Sequence, residues 1–397
     1  MINATGIIAE YNPFHNGHLY QLREAQRLTE QPIVVVMSAS FMQRGEPACL
    51  SKWLRARLAV ENGAALVLEL PTAFSLRSAQ FFASGGVQLL AATGSVNTLS
   101  CGVESPELDF RALANRIMQP AAQSQIKQRL SEGQSYAVAC NSVLGNSFDK
   151  PNDILALEYA KALTKTSIKP LFIKRMHNGY NDREISGTMS SATAIRQALH
   201  NQLEGWQQAV PSSVAQVIEA NHPGYDAALL WQLLRYKLRL MSVDAIADAC
   251  QCSEGLENLL KDAAACPSFA EALQLCTSKR YTTSRIRRLF MQLLLDVPRW
   301  RWEDNAPAYL RVLAFNDTGR QLLKQMKSTA SLPIITGLYR NWPQRLQHLQ
   351  LRQQQIYSQQ LLLELRATEL WSLLQLNPSL NRSGNDFLIS PAYVKQP

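Results

Sequence analysis

The residues best placed to do chemistry lie near the start of the chain, in EYNPFHNGHLYQL, residues 10–22. His15 and His18 bracket Asn16-Gly17 just after the apolar run at residues 5–11. If that run is a strand that turns into a helix, Gly17 allows close backbone approach. The helix start then presents free N–H groups and positive dipole potential to a phosphate. Imidazoles at that point can donate hydrogen bonds to phosphoryl oxygens as charge builds in a transition state. The competing reading is that both histidines merely cap the helix. A second element, MSSATAIRQAL at residues 189–199, puts Ser190, Ser191 and Thr193 at a helix start with Arg196 one turn in. Hydroxyls and N–H groups there suit a phosphate, and the guanidinium suits a charged leaving group. Either element alone is weak. Walker and dinucleotide glycine patterns are absent.

These groups need a scaffold, and the first 200 residues supply an alternating one. Strand-like apolar runs occupy 5–11, 33–37, 66–70, 98–102 and 170–174. Helical patterns occupy 18–28, 51–62, 78–90, 106–118 and 152–164. Short apolar strands separated by helices predict βαβ units on a parallel sheet buried on both faces. After about Gln202 the strand-like runs largely vanish. Leu, Gln, Ala and Arg dominate from there at helical period, as at 227–241, 255–264, 284–295 and 344–365. The expectation is an α/β domain over 1–200, Rossmann-like with a parallel sheet, then an all-helical C-terminal domain over 201–397. Residues beyond Asn377 read as irregular. A chain of 397 residues has room for two such domains.

Composition narrows the partners. The formal net charge is +9, and residues 279–352 carry 14 Lys/Arg against 4 Asp/Glu. The densest piece is KRYTTSRIRRLF, with Lys279, Arg280, Arg285, Arg287 and Arg288; Arg280, Arg287 and Arg288 recur at near-helical spacing and could share an exposed face. Tyr281, Phe290, Trp300, Trp302, Tyr309, Phe315, Tyr339 and Trp342 are interleaved with the charges. A basic surface with aromatic rings suits RNA, whose phosphates take arginines and whose unstacked bases take rings. A solvated helix face over buried aromatics is the alternative. Seven Cys without a CxxC pair or a zinc spacing point to free thiols in a reducing cytoplasm. No signal peptide is visible, and the uncharged stretch 78–103 is too interrupted by Gly and polar residues to span a membrane. No membrane partner is expected.

The HNGH element resembles the signature of the nucleotidyltransferase and class I aminoacyl-tRNA synthetase superfamily. The SSATAIR element is similar to that superfamily's second phosphate motif. Further blocks resemble tRNA(Met) cytidine acetate ligases: residues 37–71, SCGVES at 100–105, KPNDILALEY at 150–159, and KRYTTSRIRR. This likeness runs from residue 1 to about Tyr357. It assigns no role to the residues after Tyr357.

The resemblance implies an ATP site made of Ile7, Ile8, Ala9, Glu10, Tyr11, Asn12, Pro13, Phe14, His15, Asn16, Gly17, His18, Leu19 and Tyr20, joined by Gly102, Asn152 and Arg175. Ser191 to Arg196 complete the phosphate side. It implies ATP with Mg²⁺, acetate, elongator tRNA(Met) rather than DNA, and a cytoplasmic enzyme that forms acetyl-adenylate and acetylates the wobble cytidine. His15 and His18 would stabilise the attacked phosphate, and Arg196, with Lys52 or Arg44, would hold pyrophosphate. No metal-binding cluster is expected in the protein itself. The residues leave open a small-molecule adenylyltransferase, or an RNA-binding protein that keeps only a nucleotide fold. They also leave open whether Glu46 and Glu69 are structural or functional.

Overall fold

The structure, a computed structural model, describes residues 1–145, 150–176, 184, 185, 187–250, 252, 255–297, 306–338 and 350–395. Trp300, Trp302, Tyr339, Trp342 and residues 344–349 of the expected 344–365 helix fall outside them. Five parallel strands form where the apolar runs predict them: β1 (Ala4–Ala9), β2 (Ile33–Ser38), β3 (Leu66–Leu70), β4 (Val96–Val103) and β5 (Lys169–Lys174). Their order is β5-β4-β1-β2-β3, so the chain winds outward from β1 on one side and then returns to add β4 on the other. A crevice opens beyond the carboxyl end of β1 at that reversal, where sheets of this kind bind ligands.

The strands are uniformly apolar because both faces are covered. In β2, Val34 and Val36 enter one core while Ile33, Val35 and Met37 enter the other. Helices Asn16–Thr29 and Lys52–Glu61 cover the second core; Ala79–Ala92 and Pro151–Leu163 cover the first.

The second half is largely helical, including Ala227–Leu240 and the basic helix Thr283–Leu294. It also returns to the sheet, which sequence periodicity did not anticipate. Strand β6 (Leu310–Phe315) pairs antiparallel with β3, placing Leu66 opposite Phe315. Short strands β7 (Ile334–Ile335) and β8 (Ala392–Tyr393) pair with β6. The expected 344–365 helix is observed as Leu351–Leu373, eight residues longer at its end. Residues beyond 377, expected to be irregular, contain a short helix, Asn385–Leu388, and β8.

A buried ion cluster explains that order. Lys52 Nζ lies 2.8 Å from Glu69, 3.2 Å from Glu364 and 2.9 Å from Asp386, and Arg311 lies 2.7 Å from Asp386. The Glu364 carboxylate also accepts hydrogen bonds from the Thr72 amide and hydroxyl. These side chains are at most 5% exposed. With three carboxylates around two cations, burial and then Glu364 push the Glu69 carboxyl up to about 7. Lys52 is therefore structural, not a pyrophosphate ligand, and the segment after Tyr357 has a role: it supplies counter-charges to the first half. Removing one member of a buried ionic cluster leaves charge uncompensated, at about 3–5 kcal/mol. Lys52→Met should lower stability by about that amount, seen as a lower urea midpoint; an unchanged midpoint would show the cluster to be energetically neutral.

Candidate active site

The site is built on carbonyls that end β1 and β2. Arg55, fully buried, donates to the carbonyls of Glu10 (2.6 Å), Ser38 (2.9 Å) and Leu50 (3.0 Å), and to that of Ala39. Burial depresses this guanidinium to about 10, so it stays charged at neutral pH while facing backbone dipoles. The chain beyond β1 is fixed further by Tyr11 in a left-handed conformation (φ 48°) and by the Asn12 carboxamide oxygen, which accepts from the Cys49 amide at 2.7 Å.

His15 is the N-cap of the Asn16–Thr29 helix. Its Nδ1 accepts from the Gly17 amide at 3.0 Å, and His18 Nδ1 accepts from the His15 amide at 3.3 Å. The histidines are thus caps, but capping prepares them for more. An Nδ1 that accepts leaves the proton of a neutral ring on Nε2, so Nε2–H is the donor each ring has left. The rings lie 3.7 Å apart, centroid to centroid. Burial, then Arg175 and Arg196, press His15 down to about 3; burial, then His15 and Arg175, hold His18 well below its usual value. Both are neutral donors at physiological pH. Gly17 is needed here because an added Cβ would sit 2.8 Å from His15 Cε1.

A cleft of about 350 Å³ opens over this turn. Of the residues expected at a nucleotide, it brings together Ile8, Ala9, Glu10, Tyr11, Asn12, His15, His18, Gly102, Asn152, Arg175, Ser191 and Arg196. Thr193 and Arg44 line it as well. The other loop residues support it from outside. Ile7 enters the core, Phe14 packs edge-on against Tyr11, Pro13 is buried, and Leu19 and Tyr20 pack against the second core. Asn16 donates to the carbonyls of Thr188 and Gln208, both at 2.9 Å, tying the turn to the approach of the second motif.

That motif forms helix Ala192–His200, with the Ser191 hydroxyl accepting from the Ala194 amide at 3.0 Å. Arg196 donates to the Asn12 carbonyl at 2.8 Å and pairs with Glu46 at 3.2 Å. Asn152 is oriented by Glu104, which accepts from both its amide and its carboxamide. Arg175 packs over Gly102, whose added Cβ would lie 3.1 Å from Arg175 Cγ.

The basic segment divides. Lys279 and Arg285 are exposed and Arg280 is half-buried; Arg280 and Arg285 both lie over the Tyr281 ring. Arg287 instead pairs with Glu46, and Arg288 lines the cleft and donates to the Gln43 carbonyl at 3.1 Å. The expected shared exposed face of Arg280, Arg287 and Arg288 is therefore not formed. Arg280 precedes the helix, and the other two turn toward the cleft. Phe290 and Tyr309 are core residues, not stacking surfaces. Sequence reasoning missed Arg55, Glu104 and Asp153; Asp153 accepts from the Glu104 and Ser105 amides. In the sequence Arg55 is one of three cations, with Lys52 and Arg57, in the same short helix, and nothing local sets it apart.

A switch-point cleft with capping histidines and a second phosphate-type helix start defines a nucleotidyltransferase of the HIGH class. The family described as HIGH Nucleotidyl Transferase matches residues 2–385. A tRNA(Met) cytidine acetate ligase of Clostridium kluyveri is 35% identical over 421 aligned positions, covering 98% of each chain. Crystal structures of Thermotoga maritima TmcAL, one apo and one bound with alpha-thio ATP, superpose with TM-scores of 0.91 and 0.89. They are 30% and 31% identical, over 100% of both chains. The chain belongs to the tRNA(Met) cytidine acetate ligase family.

The neutral histidines carry a linkage consequence. An unfolded His protonates near 6.5, whereas the folded pair does not, so stability is held above pH 6.5 and lost as pH falls toward 3. For His15 the loss runs at about 1.4 kcal/mol per pH unit down to about 3, and His18 adds to it in the same direction. Chemical denaturation between pH 7 and 5 should give a steeper loss for the parent than for the His15→Asn/His18→Asn double variant, in which Asn can still cap. Identical slopes would contradict the buried neutral assignment.

Proposed function

We propose that this ATP-dependent ligase activates acetate as acetyl-adenylate and passes the acetyl group to the 4-amino group of the wobble cytidine of elongator tRNA(Met), giving N4-acetylcytidine. The observation that carries the reading is the convergence of His15, His18, Arg175 and Arg196 on one cleft with Gly102 and Asn152. The alpha-thio ATP found in the Thermotoga maritima relative supports ATP as the nucleotide.

An acetate oxygen attacks the α-phosphorus and pyrophosphate leaves. The cytidine amine then attacks the acetyl carbonyl, AMP departs, and the amine loses a proton. The Nε2–H donors of His15 and His18 stabilise the α-phosphate as charge builds, and Arg196 with the start of its helix holds the departing pyrophosphate. No nucleophilic side chain is needed, because the mixed anhydride is itself activated. Positioning and charge neutralisation supply most of the catalysis.

Mg²⁺ would neutralise charge on the triphosphate. The cleft carboxylates are Glu10, which accepts from the Gln43 amide at 2.6 Å, and Glu46, which pairs with Arg196 and Arg287. Both already have donors, which suits a metal carried by the phosphates rather than a protein cage.

Lys279, Arg280 and Arg285 are proposed as tRNA phosphate contacts. The division near residue 200 is proposed as one of function, with nucleotide residues before it and RNA residues after it, on a shared sheet. Among the described residues no helix is long and apolar enough to cross a membrane, and a cytoplasmic site of action is proposed from the tRNA substrate.

Labelled acetate, purified bulk tRNA and ATP, followed by nucleoside mass analysis, test the reading. Acetylcytidine should form only with ATP, and His18→Ala should slow it by roughly 10²–10³ without loss of fold. A folded, ATP-binding preparation that leaves tRNA unlabelled would reject the acetate assignment in favour of adenylyl transfer to a small acceptor.

A further inference from the structure

The cleft has two sides, set by the sheet. β1 lies between β4 and β2. Gly102 at the end of β4 and Arg175 after β5 therefore fall on one side, with Asn152 and the second phosphate motif. The turn after β2 falls on the other, contributing Met42, Gln43 and Arg44; the start of helix Ala79–Ala92, which packs against helix Pro151–Leu163, adds Ala79 and Phe82. The nucleotide residues named above lie at β1 and on the first side, except Arg44 on the turn after β2.

On the other side stands Arg288. Its helix is seated at three points. Arg288 Nη1 donates to the Gln43 carbonyl, and Gln292, one turn on, donates to the Leu76 carbonyl at 2.9 Å. Gly45, at φ +81°, lets the turn approach so closely that a Cβ there would lie 2.7 Å from the Arg288 amide nitrogen. A guanidinium has five N–H donors, and Gln43 is the one hydrogen-bond partner of this side chain among the described residues. Burial depresses it to about 10, still charged at neutral pH. The nearby carboxylates do not pair with it: Glu10 receives the Gln43 amide, and Glu46 holds Arg196 and Arg287. Met42 and Phe82, apolar side chains that line the same cleft, are nearly fully buried.

We propose that Arg288 forms the subsite for the short carboxylate co-substrate, binding one carboxylate oxygen while the other is directed at the α-phosphorus, with the methyl group against Met42 and Phe82. The proposal rests on the adenylation reading and deepens it. It moves Arg288 from the RNA surface into the chemistry, and gives acyl size selection to the Met42–Phe82 wall. A planar fork suits a carboxylate better than an ammonium does, so lysine should be a partial substitute.

The test uses the full-length protein without tRNA and reads acetate-dependent exchange of labelled pyrophosphate into ATP. Arg288→Ala should raise the acetate KM at least roughly tenfold, and Arg288→Lys should fall between Arg288→Ala and the parent. The Kd for ATP and the affinity and salt slope for tRNA should be unchanged. Phe82→Ala, which leaves the guanidinium in place, should shift preference from acetate toward butyrate by roughly tenfold or more. An acetate KM unchanged in Arg288→Ala overturns the proposal. With it, weaker ATP binding would assign the guanidinium to the triphosphate, and weaker tRNA binding would return it to the RNA surface. If the parent protein binds ATP but shows no acetate-dependent exchange, it is the adenylation reading that fails.

Discussion

The site depends on one buried cation whose partners among the described residues are backbone carbonyls and not carboxylates. A parallel sheet ends in a row of carbonyls, and where a crevice opens those carbonyls lose their ladder partners. Arg55 gathers those of Glu10, Ser38 and Ala39 under the floor of the cleft, with Leu50 from its own approach. An unpaired buried carbonyl costs about 1–3 kcal/mol, so several left open at once would not be tolerated. A lysine at this position could not serve the same fan of acceptors, because only the guanidinium fixes its donors in a plane. The direction in which the chain leaves β1, and hence the position of Asn12 and both histidines, is set by that arrangement.

From the same loop a polar chain runs outward. Arg196 donates to the Asn12 carbonyl and pairs with Glu46, which also pairs with Arg287 on the basic helix. Glu46 therefore joins the second motif, at Arg196, to the half of the chain that carries the basic helix. Beneath this, Lys52, Glu69, Arg311, Glu364 and Asp386 join the same halves through the core. Two links, one in the cleft and one buried, tie the two halves of the chain into one scaffold.

Much of this was legible in residues. The five parallel strands come from continuous apolar runs, the HNGH element from residue type at a strand-to-helix turn, and the SSATAIR element from hydroxyls at a helix start. What escaped was tertiary. The run LRVLAF at β6 is short and sits among helical, basic sequence, and nothing local says that it pairs with β3 some 245 residues earlier. Lys52 carries the same side chain whether it meets phosphate or three carboxylates, and only the fold decides. The helix expected from 106 begins at Phe110, because Asp109 accepts from the Arg111 and Ala112 amides and caps it there. Charge and spacing alone put Arg287 and Arg288 on an exposed face, but the close approach allowed by Gly45 turns their helix toward the cleft.

The central claim is that the cleft joins acetate to the α-phosphate of ATP before the acetyl group moves. Acetate labelled with ¹⁸O in both oxygens tests it directly. An acetate oxygen that attacks phosphorus bridges the mixed anhydride and leaves with AMP when the amine attacks the carbonyl. One ¹⁸O should therefore appear in AMP for each acetyl group transferred, and none in pyrophosphate. Acetylated tRNA formed alongside unlabelled AMP would contradict the account.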